Sequence, residues 1–177
     1  NRFDILRIAY NRFKAACAES KKTLAKGLPL YKQFDNFVKD NADWLEDYAL
    51  FMALKFKNDG KPWYEWDEKL AFREPAAIEK AKQELKKDIE FFKFIQYKFY
   101  RQWSNLKKYA NDKGVEIIGD MPIYVSYDSV EAWTYPELFL FDSKKRPVDV
   151  AGCPPDEYAL TGQLWGNPLY DLSLIHI

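Results

Sequence analysis

Apolar residues first recur at helical spacing near the N-terminus, where Ile5, Leu6, Ala9, Phe13 and Ala16 form one stripe. A second stripe runs through "NADWLEDYALFMALKFKNDG". Trp44, Leu45, Tyr48, Phe51, Met52 and Lys55 share a face, Asn41 is placed to cap the start, and Asn58-Asp59-Gly60 supplies the stop. "KPWYEWDEKLAFREP" (Lys61–Pro75) then reads as an aromatic connector. From Pro75, at a first-turn position, one long helix is expected. Ile78, Ala81, Leu85, Ile89, Phe92, Phe99, Trp103, Leu106 and Ala110 step by three or four, and Gly114 is the natural C′ stop. The opposite face is dense in Lys and Glu and reads as solvated.

After Gly114 the period changes. "GVEIIGDMPIYVS" is a short apolar run rich in β-branched residues, which predicts a buried strand. A long helix, a glycine and a buried strand together have the grammar of an αβ unit in a parallel sheet. The next segment, Ser126 to Tyr170, looks irregular. Segments that long are functional or disordered, and its aromatic content argues against disorder.

Composition narrows the picture. The chain has 177 residues, enough for a real core, and an unusual 18% of them are aromatic, a load that serves a core or platforms for ring-shaped ligands. Lys+Arg and Asp+Glu balance at 27 each with no basic stripe, which argues against nucleic acid as a partner. Cys17 and Cys153 lie far apart without metal-type spacing, so two free thiols are expected. No run approaches the ~20 apolar residues of a membrane span. Charges throughout Asn1–Tyr10 argue against a signal peptide, and the missing initiator Met suggests a piece of something larger.

Candidate chemistry concentrates late in the chain. Asp120 sits among apolar residues in "IIGDMPIYV", where a carboxylate is costly unless paired or wet. Two readings stand: an acid at the end of a barrel strand, pointing into a site, or a cap on a neighbouring loop. In "SYDSVEAW", Ser129 suits a helix cap, and Asp128 suits capping or chemistry. "CPPDEYALTGQLWGNP" (Cys153–Pro168) is stiffened by Pro154-Pro155 and hinged at Gly162 and Gly166. Between these sit Asp156, Tyr158, Gln163, Trp165 and Asn167. An indole face suits the C–H face of a sugar, and carboxylates and amides bridge neighbouring hydroxyls. The alternative is a loop pinned by its own Trp and prolines. The only histidine, His176, is next to the end, so Ser-His or Cys-His catalysis lacks a base. No phosphate loop or metal cluster is visible. Asp120 and Asp156 are a possible carboxylate pair, which their spacing in sequence does not decide.

"IIGDMPIYVSYDSVEAW" followed by "VAGCPPDEYALTGQLWGNPLYD" resembles the amylomaltase family of 4-α-glucanotransferases, the disproportionating enzymes. "WLEDYALFMALK" and "FFKFIQYKFYRQWSNLKKYAN" fit the same family, and the resemblance runs from Phe3 to Asp171. It implies an α/β fold: part of a (β/α)8 barrel of the α-amylase clan with a large helical insertion, mostly helical by residue count. Residues 1–113 would be the insertion and flanking helices, and 114–171 a barrel strand with a glucan-covering loop. The implied activity transfers α-1,4-glucan segments to the 4-hydroxyl of an acceptor sugar by a retaining, two-carboxylate route. The implied partner is an α-1,4-glucan or maltooligosaccharide. No cofactor, metal, nucleic acid or membrane is implied, and the location would be cytoplasmic. Asp120 matches an aspartate of the active-site groove in a supporting role. Pro154–Trp165 matches a mobile loop over the glucan. Gln163 and Trp165 match residues touching sugar, and Asn167 and Pro168 match the loop's closing end.

Two departures stand out. Glu157-Tyr158-Ala159 replaces the family's usual Tyr-Phe-Ser or Ala-Phe-Ser, and "LSLIHI" stands where the family continues with a Trp. Residues 172–177 are therefore expected to be a non-native tail. The family's nucleophilic Asp and acid/base Glu belong to later strands, so these residues alone are expected to be inactive. Two rival readings are an α-glucan hydrolase of the same clan and a non-catalytic helical carbohydrate-binding module.

Overall fold

The computed structural model describes residues 2–20 and 29–174. The chain divides into two compact units: residues 1–57 with 79–118, and residues 58–78 with 119–177.

The first unit is helical: α1 (Arg2–Ser20), α2 (Leu30–Asp40), α3 (Ala42–Lys57) and α6 (Lys86–Asp112), with much of α5 (Pro75–Glu84). Its core is aromatic. Leu45, Ala49, Leu50 and Leu54 of α3 and Phe91, Phe92, Phe94 and Tyr97 of α6 are buried. From α1, Phe13 packs its ring 4.9 Å from Phe94. The α1 stripe differs from the expected one. Tyr10 and Phe13 are buried while Ile5, Ala9 and Ala16 face solvent, so the packed line is Phe3, Leu6, Tyr10, Phe13 and Cys17. α2 has no counterpart in the sequence reading, although Leu30, Phe34 and Phe37 carry its period.

Asn41 stands where a cap for α3 was expected, and its carbonyl accepts the Leu45 N–H at 2.9 Å. Its side chain has other work: the amide donates to Phe37 O at 2.8 Å, and Oδ1 accepts from the Trp44 indole at 3.2 Å. The long helix expected from Pro75 breaks at Leu85. No proline or glycine marks the break, and the Leu85–Ile89 step keeps the helical period through it. Beyond Tyr97 the apolar stripe of α6 leaves the core, and Phe99, Trp103 and Leu106 are exposed. α6 ends as expected: Gly114 has φ +75°, its N–H bonds to Asn111 O, and Val115 N–H bonds to Ala110 O. This is the paired bonding of a Schellman end, which satisfies carbonyls the helix leaves open.

The expected buried strand in 115–125 does not form. These residues have no strand pairing, and Ile118 is 94% exposed. A buried strand requires partners for its backbone and cover for both faces, and no described strand pairs with it. The strands that do form are β1 (Val150–Cys153) and β2 (Gln163–Pro168), an antiparallel ribbon inside the segment that had looked irregular.

The second unit also contains α4 (Glu68–Ala71) and α7 (Val130–Thr134). Its core is built on three tryptophans whose N–H groups all find carbonyls: Trp63 to Tyr127 O at 2.7 Å, Trp66 to Lys61 O at 2.9 Å and Trp133 to Leu70 O at 2.9 Å. Burying an indole without such a bond would cost about 1–3 kcal/mol. Ser129 caps α7, accepting from Ala132 N–H at 3.2 Å, as expected. No disulfide joins the described residues Cys17 and Cys153, and both are half-buried. No described helix is long and apolar enough to cross a membrane. His176 lies outside the described residues, and of the expected tail only Leu172–Leu174 is described, as a single 3-10 turn.

Candidate functional site

The ribbon begins at a tight neck. Cys153 pairs with Gln163 and Gly152 with Leu164, and an irregularity follows before Val150 meets Pro168. Gly166, with φ +78°, lies in the extra length of β2. At the neck Gly162 has φ +72°, and a Cβ there would lie 2.6 Å from Cys153 O. Only glycine meets both demands. Between the strands Asp156 folds the loop: Oδ1 accepts from Tyr158 N–H at 2.9 Å and Ala159 N–H at 2.7 Å, and Gly162 N–H bonds to Ala159 O at 2.8 Å. Tyr158 stands at the tip, 95% exposed.

Gln163 and Trp165 alternate along β2 and share a face. The Trp165 indole N–H donates to Gln163 Oε1 at 2.9 Å. An indole nitrogen only donates, so it holds the carbonyl end of the amide and leaves the NH2 end for another partner. Trp165 is 49% exposed, and its ring centroid lies 6.2 Å from that of Tyr124. Asn167 spends its amide on the main chain, donating to Val125 O at 2.8 Å. Asp120 is exposed and accepts from the N–H of Met121 at 2.8 Å.

The structure thus gathers Gln163 and Trp165 and joins Asn167 and Trp165 to residues 124–125. It leaves Asp120 and Asp156 each bonded to the main chain of its own segment, and Tyr158 apart at the loop tip. Among the described residues no cluster suits a metal ion.

Sequence reasoning missed the support beneath this face. From Trp165 a series of rings continues through Tyr124 to Tyr170, which lie nearly parallel at 6.4 Å. Tyr170 meets Phe139 at 5.2 Å, Phe139 meets Phe141 at 5.4 Å, and Phe141 meets Tyr127 at 5.6 Å. Tyr127 stacks on Tyr64 at 4.4 Å with planes 7° apart. The main chain follows the same line through the antiparallel bridge Phe139–Tyr170. Asp128, left open between two roles, accepts from the Trp63 main-chain N–H at 3.2 Å and so ties the connector to this series. Burial is the main cause that pushes the Tyr127 hydroxyl up to about 12, with Tyr64 and Asp142 adding to it, and that hydroxyl donates to Lys145 O at 2.8 Å. The available signal was the alternation of Phe139 and Phe141 in a stretch that otherwise looked like loop.

A half-exposed indole beside an amide with free N–H groups suits a ligand with both C–H faces and oxygen acceptors.

Comparison with known proteins gives a consistent result. Residues 1–176 match a family described as 4-alpha-glucanotransferase. A 4-alpha-glucanotransferase of Clostridium butyricum is 45% identical over 168 residues, covering 94% of this chain and 32% of the relative. One from Thermus thermophilus is 51% identical over 137 residues, 77% of this chain and 27% of the relative. Among solved structures, "Amylomaltase from Streptococcus agalactiae in complex with acarbose" superposes with a TM-score of 0.79 at 42% identity, covering 92% of this chain and 32% of that one. The chain spans about a third of the length of the curated relatives it matches.

Proposed function

The chain belongs to the 4-alpha-glucanotransferase family, and from that premise we propose that it is the glucan-contacting part of an enzyme that moves α-1,4-glucan segments onto the 4-hydroxyl of an acceptor sugar. The match across residues 1–176, at more than 40% identity to relatives of that name, is the observation that carries this reading. The whole enzyme would have a barrel fold, in which residues 1–113 are a helical elaboration and 114–171 border the glucan groove. Its mechanism would be retaining: one carboxylate attacks the anomeric carbon while a carboxylic acid protonates the leaving oxygen, and the acceptor's 4-hydroxyl then displaces the enzyme.

In this reading Gln163 and Trp165 meet a sugar ring, the indole on its C–H face and the amide N–H groups on its oxygens. Asp120 lends polar support, Asp156 keeps the loop in shape, and Tyr158 reaches the ligand when the loop lies over it. Asn167 holds the base of the ribbon. A cytoplasmic setting rests on the resemblance alone.

Maltotriose tests the activity. The parent enzyme should release glucose together with longer maltooligosaccharides, and the 177-residue chain alone should do neither. Glucose without longer products from the parent would favour the hydrolase instead. Disproportionation by the chain alone would refute the division of labour proposed here.

A further inference from the structure

We propose that Tyr124 is the positioning residue for Trp165; the proposal rests on the glucan-binding role given to Trp165 above. Trp165 sits on a two-stranded ribbon with an irregularity in its middle and a left-handed Gly166 beside it, so the backbone alone fixes the indole poorly. Two contacts supply the constraint. One is the indole N–H bond to Gln163 Oε1, made within the ribbon. The other comes from outside it: the Tyr124 ring, tilted 55° to the indole at a centroid separation of 6.2 Å.

Tyr124 is suited to this because it is itself held. Its ring lies nearly parallel to that of Tyr170, with 14° between the planes. The next residue, Val125, receives the Asn167 amide at 2.8 Å. Consecutive residues 124 and 125 therefore grip alternate residues 165 and 167 of β2. Asp120 lies four positions before Tyr124, so the segment that carries this acid also sets the angle of the indole. Tyr124 need not touch the ligand; its role is to hold the indole at one angle so that its exposed half meets the ligand.

The test labels the full chain with 5-fluorotryptophan and follows the fluorine signals during titration with maltoheptaose, the Trp165 signal being the one lost in Trp165→Phe. Tyr124→Leu should move the Trp165 signal, leave Trp63 and Trp133 in place, and weaken maltoheptaose binding about two- to tenfold, the span of an aromatic pair's coupling. Tyr124→Phe, which keeps the ring, should restore both readouts. If Tyr124→Leu disturbs Trp63 or Trp133, Tyr124→Met, whose unbranched side chain adapts to the gap without a ring, is read in the same way. A Trp165 signal that stays still in the ringless variant overturns the proposal, as does one that moves while affinity is unchanged. A wild-type Trp165 signal that ignores maltoheptaose refutes the glucan-binding reading itself, and is seen before any Tyr124 variant is made.

Discussion

Three glycines of the ribbon separate two causes of strain, and alanine at each gives a graded outcome. At Gly152 an added Cβ would lie 2.5 Å from Gln163 O, and no left-handed φ is involved. At Gly166 the φ is +78°, but nothing lies within 4 Å of the added atom. Gly162 combines both: φ +72°, with Cys153 O at 2.6 Å and main-chain atoms of Pro154 and Pro155 at 3.2 Å. A left-handed conformation costs an L-residue about 1–2 kcal/mol. Forcing an atom into backbone that cannot yield costs about 1–3 kcal/mol. The expected losses are therefore about 1–2 kcal/mol for Gly166→Ala and about 1–3 for Gly152→Ala, and the sum, about 2–5, for Gly162→Ala. Alanine also lowers the entropy of the unfolded chain by about 0.4–1 kcal/mol, an offset common to all three that drops out of the differences. Native-state amide exchange of the β1 and β2 protons measures the opening energy of the ribbon directly, even where it opens below the global transition. Gly166→Ala costing as much as Gly162→Ala would refute the steric part of the reasoning. A harmless Gly152→Ala would refute the geometry of the neck.

Titration should show two limbs. The Arg146 main-chain N–H and guanidinium bonds hold the Asp142 carboxyl below its usual range. A depressed folded-state pKa stabilises above the unfolded value and is lost on acidification, so Asp142 should add to acid destabilisation below about pH 4, and Asp142→Asn should flatten that limb in urea titrations at stepped pH. Tyr127 has the opposite sign: its neutral form is favoured up to about 12, so stability should fall as pH rises from about 10 towards that value. Phenolate absorbance should show one late-titrating tyrosine missing in Tyr127→Phe, and that variant should lose less stability at high pH.

The sequence spoke most clearly where one residue does one local job. Gly114 ends α6, Ser129 caps α7, and Asn58-Asp59-Gly60 closes α3, each through bonds made within a few residues. It spoke less clearly where burial depends on distant partners. Ile118 and Ile123 have the β-branched character of a core strand yet stand exposed, because character does not supply a partner strand. Phe99, Trp103 and Leu106 continue a helical stripe past the point where anything packs on it. The ribbon was hidden by its prolines and glycines, which mark turns and say little about pairing across them. At the candidate site, Gln163 and Trp165 were legible as residues suited to a sugar, but their shared strand face was not, because the segment read as loop. The work of Asn167 could not be read, since an amide serves a ligand and a carbonyl equally well. Tyr124 went unnoticed because its partners lie far along the chain.

The bonds between the aromatic connector and its later partners also bear on the order of synthesis. Trp133 donates to Leu70, and Trp63 to Tyr127, across separations of 63 and 64 residues. At about 5–20 residues per second a ribosome needs roughly 3–13 s to make that stretch. Once clear of the ribosome, Trp63, Trp66 and Leu70 wait about that long for the residues that cover them to emerge. The connector, "KPWYEWDEKLAFREP", is thus a part of the nascent chain with reason to meet a chaperone.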